Sequence, residues 1–261
     1  MNARSALFDL YGDHLRSRGG QAQVASLVRL LAPLGVAAPA VRTAVSRMVR
    51  QGWLEPVRLA GGPGYALTSR AVRRLDDSAA RIYRTRNEGW EGRWHLVVVA
   101  MPTERSRRDR LRAGLGFLGF AQLDDATWIG PRWSDEVDAL LEEEAVRAER
   151  FVAEHDGDSL GLVRHAWDIE GLARAYSRWL ADARRLVTRA GPDPDDEQAF
   201  ATRSRLVHEW RKFLFLDPGL PRPLLPADWP GDEAAAFFDA ESERLSPAAV
   251  RFVEQCLAHS A

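Results

Sequence analysis

Cysteine occurs once in the chain, at Cys256, which excludes an intrachain disulfide. No apolar run approaches the roughly 20 residues of a membrane-spanning helix. The longest strongly apolar stretch, LVVVAM from Leu96 to Met101, has the length of a strand. The amino-terminal MNARSALFDLYGDHLRSRGG contains acids and lacks a long apolar centre, so it does not read as a secretory signal. There is no internal repeat, no low-complexity tract and almost no net charge, −1 at neutral pH. These absences set aside disulfide scaffolds, repeat architectures and membrane-spanning proteins, and make the cytoplasm the expected setting.

The 261 residues suffice for more than one domain, and 46% hydrophobic with 28% charged content is that of a globular chain. The small net charge conceals a division. From Met1 to Trp90 there are 14 arginines against 6 acids, whereas from Glu91 onward acids outnumber Arg and Lys by 31 to 22. Clustered positive charge releases counterions from nucleic acid, so the basic first third points to a polyanionic partner.

Within that third, VRTAVSRMVRQGWL sets Val41, Ala44, Val45 and Met48 on one helical face and Arg42, Thr43, Ser46, Arg47 and Arg50 on the other. Pro39 suits the first turn of this helix and Gly52 its end. Upstream, Leu7, Leu10, Tyr11 and Leu15 predict a first helix, and Val24, Leu27, Val28 and Leu31 a second ending near PLG at Pro33 to Gly35. Downstream, WLEPVRL and YALT predict two strands reversing around AGGPG. Three helices and a two-stranded ribbon in that order predict a winged helix-turn-helix, whose last helix enters the major groove of double-stranded DNA. Arg42, Thr43, Ser46 and Arg47 are then the base-reading candidates, because arginine can donate two bonds to guanine and the hydroxyls can reach bases or phosphate. Arg50 is placed as a phosphate anchor.

From Thr68, TSRAVRRLDDSAARIYR predicts a connector helix. The next segment reads strand RWHLVVVAM, helix ERSRRDRLRAGLGFL, strands FAQL and ATWIG, helix SDEVDALLEEEAVR and strand AERFVAEH. This β-α-β-β-α-β order predicts a ferredoxin-like plait. Beyond Asp156 the periodicity is helical, in IEGLARAYSRWLADARRLV, EQAFATRSRLVHEWRKFLFL and EAAAFFDAESERLSPAAVRFVEQCL. The last two are separated by a proline-rich loop, DPGLPRPLLPADWPG, apolar enough to be packed through Leu220, Leu224, Leu225 and Trp229. The expectation is an α+β protein with a winged helix-turn-helix and connector over 1–90, a ferredoxin-like plait over 91–157 and a helical effector or dimerisation domain over 158–261.

RSRGG, LVRLLAPLG and VRTAVSRMVRQGWL, with the distal LVHEWRKFLFLDPGLPRPLLPADWPG, resemble the PaaX-like repressors of phenylacetate catabolism over essentially the whole chain. The resemblance implies a dimeric repressor that leaves its operator on binding an aryl-CoA thioester such as phenylacetyl-CoA; because one winged helix has a small footprint, a homodimer on an inverted-repeat operator is expected, and the chain is not expected to be an enzyme. It implies no resident cofactor. The wing departs from the expected basic tip: RLAGGPGYALT offers only Arg58, placed at its base, as a DNA contact. For the effector, His208, Arg211 and Lys212 in HEWRKFLFL form a cationic cluster able to receive CoA phosphate, with Trp179 and Trp229 as apolar neighbours of the acyl part. A helix whose His and Arg satisfy nearby loop carbonyls fits the same residues.

Other motifs carry less. GDSLG, Gly157 to Gly161, matches the G-x-S-x-G spacing with Ser159 as nucleophile, but that chemistry needs an elbow on a largely parallel sheet, and a glycine-bordered linker is expected instead. EHDGD, Glu154 to Asp158, gathers metal-ligand types that are also ordinary turn residues, so no metal is expected. The plait also resembles the small CRISPR-associated endoribonuclease, yet VVVAMPTE lacks the aspartate that ends that enzyme's first strand. Arg105, Arg107, Arg108 and Arg110 fit either a solvated helix face or a phosphate contact. The alternatives to an effector-released repressor are a plait-type nucleic-acid-processing enzyme and a DNA-binding protein without effector.

Overall fold

A computed structural model describes residues 1–82 and 89–258. Packing divides the chain into two units, one of Met1–Arg86, Arg178–Arg211 and Asp232–Ala261, the other of Asn87–Ser177 and Lys212–Gly231.

The first unit opens with α1 (Ala3–Leu10), started by Asn2, whose side chain accepts from the Ser5 amide. The helix expected to run on through Leu15 widens into a π-helical turn, Tyr11–Leu15. That turn keeps Tyr11, His14 and Leu15 inward, and Tyr11 Oη donates at 2.9 Å to the Tyr65 carbonyl. A short strand, β1 (Gln21–Gln23), precedes α2 (Val24–Leu31). Its only inward residue is Ala22, so the apolar pattern gave no sign of it. In α2 the buried face is Leu27, Leu30 and Leu31, with Val28 at its margin. The turn Ala32–Leu34 leads to α3 (Ala38–Arg50), which carries its proline in the first turn and buries Val41, Ala44, Val45 and Met48 as the spacing predicts. Then come β2 (Leu54–Leu59), β3 (Gly62–Leu67) and α4 (Ser69–Ile82). The last residues of the expected connector helix, 83 and 84, lie outside the described residues.

The small sheet has the order β1-β3-β2, all antiparallel. Its hairpin is tighter than AGGPG suggests: Leu59 pairs with Gly62, so only Ala60 and Gly61 form the turn. Gly64 lies within β3, where a Cβ would come within 2.6 Å of the Leu59 side chain and 2.9 Å of the Ala22 carbonyl. Glycine is required there because strands approach from both sides, not because the chain turns. From the carboxy-terminal half, α8 (Ile169–Ala190), α9 (Asp196–Trp210) and α11 (Pro230–Ala258) contribute to this unit. Phe200, Ala249, Val253 and Cys256 share one core with the buried residues of α1, α2 and α3.

The second unit is built on the four-stranded antiparallel sheet β5-β6-β4-β7. In chain order its elements are β4 (Arg93–Val99), α5 (Arg105–Phe117), β5 (Ala121–Gln122), β6 (Thr127–Gly130), α6 (Asp135–Glu143) and β7 (Ala148–Glu154), the ferredoxin-like plait. Val97 and Val99 of β4 meet Leu111, Leu115 and Val137 of the two helices in a single core. GDSLG is not a linker: Asp158 caps α7 (Ser159–Ala166), of which Ser159 is the first residue. The long helix expected through Leu216 breaks after α9, and α10 (Phe213–Leu216) follows as a separate turn. The proline-rich loop is packed as its composition predicts. Leu220, Leu224 and Trp229 are buried, and Arg132 of the plait donates at 3.1 Å to the Gly219 carbonyl.

Candidate nucleic-acid interface

The termination of α3 aims its outer face. Gly52 adopts φ +71°, donates its amide to Val49 at 3.0 Å, and lets the Trp53 amide close on Met48 at 2.9 Å. This paired closure is the Schellman motif, and it turns the chain directly into the wing. Trp53 then packs edge-on against Phe8, ring centroids 5.2 Å apart, and Leu54 is buried. The helix is thereby pinned at its carboxy-terminal end, with one face in the core.

Arg42, Thr43, Ser46, Arg47 and Arg50 are all exposed on the other face. Among the described residues, no ion pair or hydrogen bond engages the Arg42, Arg47 or Arg50 side chains. Thr43 is partly committed, since its hydroxyl donates at 2.9 Å to the Pro39 carbonyl and keeps only acceptor capacity for an outside group. Arg58 is exposed and pairs across the hairpin with Pro63, next to the closing pair Leu59 and Gly62. It therefore stands near the wing tip, not at the base where the longer reversal would have put it.

The effector candidates separate. His208 Nδ1 lies 2.7 Å from Asp9 Oδ2, and Arg211 pairs with the other oxygen of the same carboxylate, which is 5% exposed. Burial holds the Arg211 guanidinium below its ordinary pKa. Trp179 is buried in the first unit beside Trp210, centroids 4.7 Å apart, and Phe238. Lys212 and Trp229 belong to the second unit, where Trp229 stands edge-on to Tyr176 and Tyr176 stacks on Phe213 at 4.0 Å. Sequence reasoning missed Asp9 altogether. Its signal was an acid set beside the inward Ala6, Leu7 and Leu10 of α1, a position from which it can only point into the protein.

A second buried pair lies one turn on. Asp13 meets Arg203 and lies 3.2 Å from His14 Nε2. Burial, aided by Arg203 and Arg18 and opposed by Asp13, pushes the His14 imidazole down to about 4. Asp9, Asp13 and His14 line a small cavity with Leu10, Phe200 and Ser204.

The arginine run of the plait is occupied internally. Arg110 makes a two-pronged pair with Glu144 at 2.6 and 2.9 Å, Arg107 donates to the Glu144 carbonyl, Arg108 donates to Pro102 at 3.2 Å, and Arg105 faces Asp109 at 3.7 Å. The bonds from Arg110 hold the Glu144 carboxyl below its usual range. Ser159 stands 3.5 Å from His155 Nδ1, the outer limit of a hydrogen bond, beside an antiparallel sheet. No group of three or more His, Cys, Asp or Glu that could hold a metal ion occurs among the described residues.

A winged helix with an exposed basic third helix, joined to a ferredoxin-like plait and a set of carboxy-terminal helices, defines the class of this protein. Comparison with known proteins gives the family. Residues 2–71 match the family described as PaaX-like protein, residues 87–160 the PaaX protein central Cas2-like domain, and residues 167–255 the PaaX-like protein C-terminal domain. The chain is 30% identical to the Transcriptional repressor PaaX of Escherichia coli (strain K12), over 98% of this chain and 84% of the relative. An uncharacterized protein from Mycobacterium tuberculosis of known structure is 28% identical, with a TM-score of 0.64 over 95% of this chain and 98% of that one. The chain belongs to the PaaX-like family of transcriptional repressors.

Proposed function

We propose that this protein is a cytoplasmic, homodimeric repressor that reads an inverted-repeat operator through α3 and leaves it on binding an aryl-CoA thioester. The observation that carries the DNA reading is the exposed face of α3, whose Arg42, Arg47 and Arg50 have no partner among the described residues on a helix clamped at its far end. Free guanidiniums on a fixed helix are the donors that guanine edges and phosphates require. Supporting it, the likeness to a transcriptional repressor spans nearly the whole chain. Among the described residues no helix is long and apolar enough to cross a membrane.

Two-fold assembly is supported by the plait. Leu96 and Val98 of β4 and Phe151 of β7 share the sheet face opposite the helices, and Val98 and Phe151 are exposed there. Contiguous exposed apolar surface on a soluble domain marks an association site. A dimer would place two copies of α3 on half-sites about one helical turn, or a multiple, apart.

The effector reading rests on the family. For a ligand to release DNA it must bind the DNA-incompetent state more tightly. An anion seated on His208 and Arg211 competes with Asp9 for them, which gives such a ligand a route to differential binding. Calorimetry with phenylacetyl-CoA, beside free CoA and phenylacetate, tests it. Binding of the thioester alone, with operator release in a mobility shift, is expected. No binding of any acyl-CoA removes the effector and leaves the DNA reading standing.

A further inference from the structure

α9 touches the DNA-reading head at two places. It packs on α1 and on the turn Ala32–Leu34 that joins α2 to α3. Toward α1, Asp9 receives His208 and Arg211, and in the π-helical turn that follows Asp13 receives Arg203, whose Nε also donates at 3.1 Å to the Ser242 carbonyl of α11. Toward the turn, Arg205 donates at 3.1 Å to the Pro33 carbonyl. α1 in turn packs on α3 within the same core. Four basic residues along one stretch of chain, Arg203, Arg205, His208 and Arg211, thus grip α1, the π-helical turn that continues it and the turn in front of α3.

Apolar contact alone is non-directional and tolerates small shifts of one helix over another, whereas a buried carboxylate is stable only while its partners stay within hydrogen-bond reach. The ionic contacts therefore fix the register of α9 on α1. We propose that Asp9, Arg205 and Arg211 are positioning residues for DNA reading: by locking α9 to α1 and to the turn at Pro33, they set the angle at which α3 presents Arg42 and Arg47. This rests on α3 being the DNA-contacting helix.

The test uses the full-length chain and a duplex that the wild type selects from a random-sequence pool. Affinity for this duplex and for an unrelated duplex of equal length is measured well below the melting temperature, with near-ultraviolet circular dichroism recording tertiary packing. The variants are Asp9→Asn, Arg211→Gln, the two combined, and Arg205→Ala, which is exposed and leaves no buried charge behind. Each single variant is expected to lower the ratio of selected to unrelated binding about 2- to 30-fold, the range of couplings carried through packed networks. Affinity for the unrelated duplex and the dichroism spectrum should stay as in the wild type. The Asp9→Asn/Arg211→Gln pair should lose no more than its worse single, because both act through one interaction. A purely structural role would lower the melting temperature and leave the ratio unchanged. The proposal is overturned if Arg205→Ala and Asp9→Asn keep the wild-type ratio, or if every loss disappears once the unfolded fraction is subtracted. A wild type that selects no duplex overturns the DNA reading itself, an outcome distinct from variants that match a selective wild type.

Discussion

At the residue scale, polar groups divide into those held out and those held in. Arg42 and Arg47 project from α3 into solvent, so their removal costs the fold little. Arg42→Ala or Arg47→Ala should cost about 1 to 3 kcal/mol of operator discrimination per lost bidentate contact, with the melting temperature unchanged. Titration against selected and scrambled duplexes measures it; full discrimination in both variants would remove the base-reading assignment. His14 is the opposite case, a buried imidazole whose neutral form the fold prefers. Because its pKa falls from the ordinary value to about 4, the unfolded chain takes up its proton first as the pH drops. The stability this residue contributes is complete above about pH 6.5 and is lost as the pH falls toward 4, a change of about 3 kcal/mol in all. Urea melts across that window should show a falling midpoint, and His14→Gln should remove this share of the slope.

At the element scale, the winged helix is completed by helices that follow it by more than a hundred residues. Phe200 of α9 is fully buried in the core it shares with α1, α2 and α3, its ring centroid 5.2 Å from that of His14 and 5.1 Å from that of Phe252 in α11. Phe200→Ala should destabilise the first unit by about 3 to 5 kcal/mol, the usual range for a large aromatic removed from a core. For the same reason a fragment of residues 1–90 should lack a cooperative thermal transition; a sharp, reversible melt of that fragment would show that the head stands alone. The elements legible in the sequence were those with a strong period: α3, the hairpin, and the β-α-β-β-α-β order of the plait. β1 was not, because Gln21–Gln23 has a single inward residue and is a strand only by virtue of β3. The π-helical turn after α1 was not, because the residues that marked the first helix, Leu7 and Leu10 before the change of winding and Tyr11 and Leu15 within it, are all buried.

At the scale of the whole molecule, Val98 and Phe151 of the plait are exposed, and the proposed dimer puts its contact there. Phe151→Glu should convert a sedimenting dimer to monomer and weaken operator binding, since one winged helix offers too small a footprint for tight binding alone. A wild type that sediments as a monomer at micromolar concentration, yet binds operator tightly, would count against the two-fold arrangement. By itself the sequence determined the fold class, the basic face of α3 and the family likeness, because periodicity, charge and glycine placement are local and need no partner. Only the tertiary structure decided that Arg107, Arg108 and Arg110 bond within the plait, that Arg58 stands near the wing tip, and that His208 and Arg211 serve Asp9. Those are questions of which group meets which across long stretches of chain. A side chain's type states what it can bind, and only folding states which partner reaches it first.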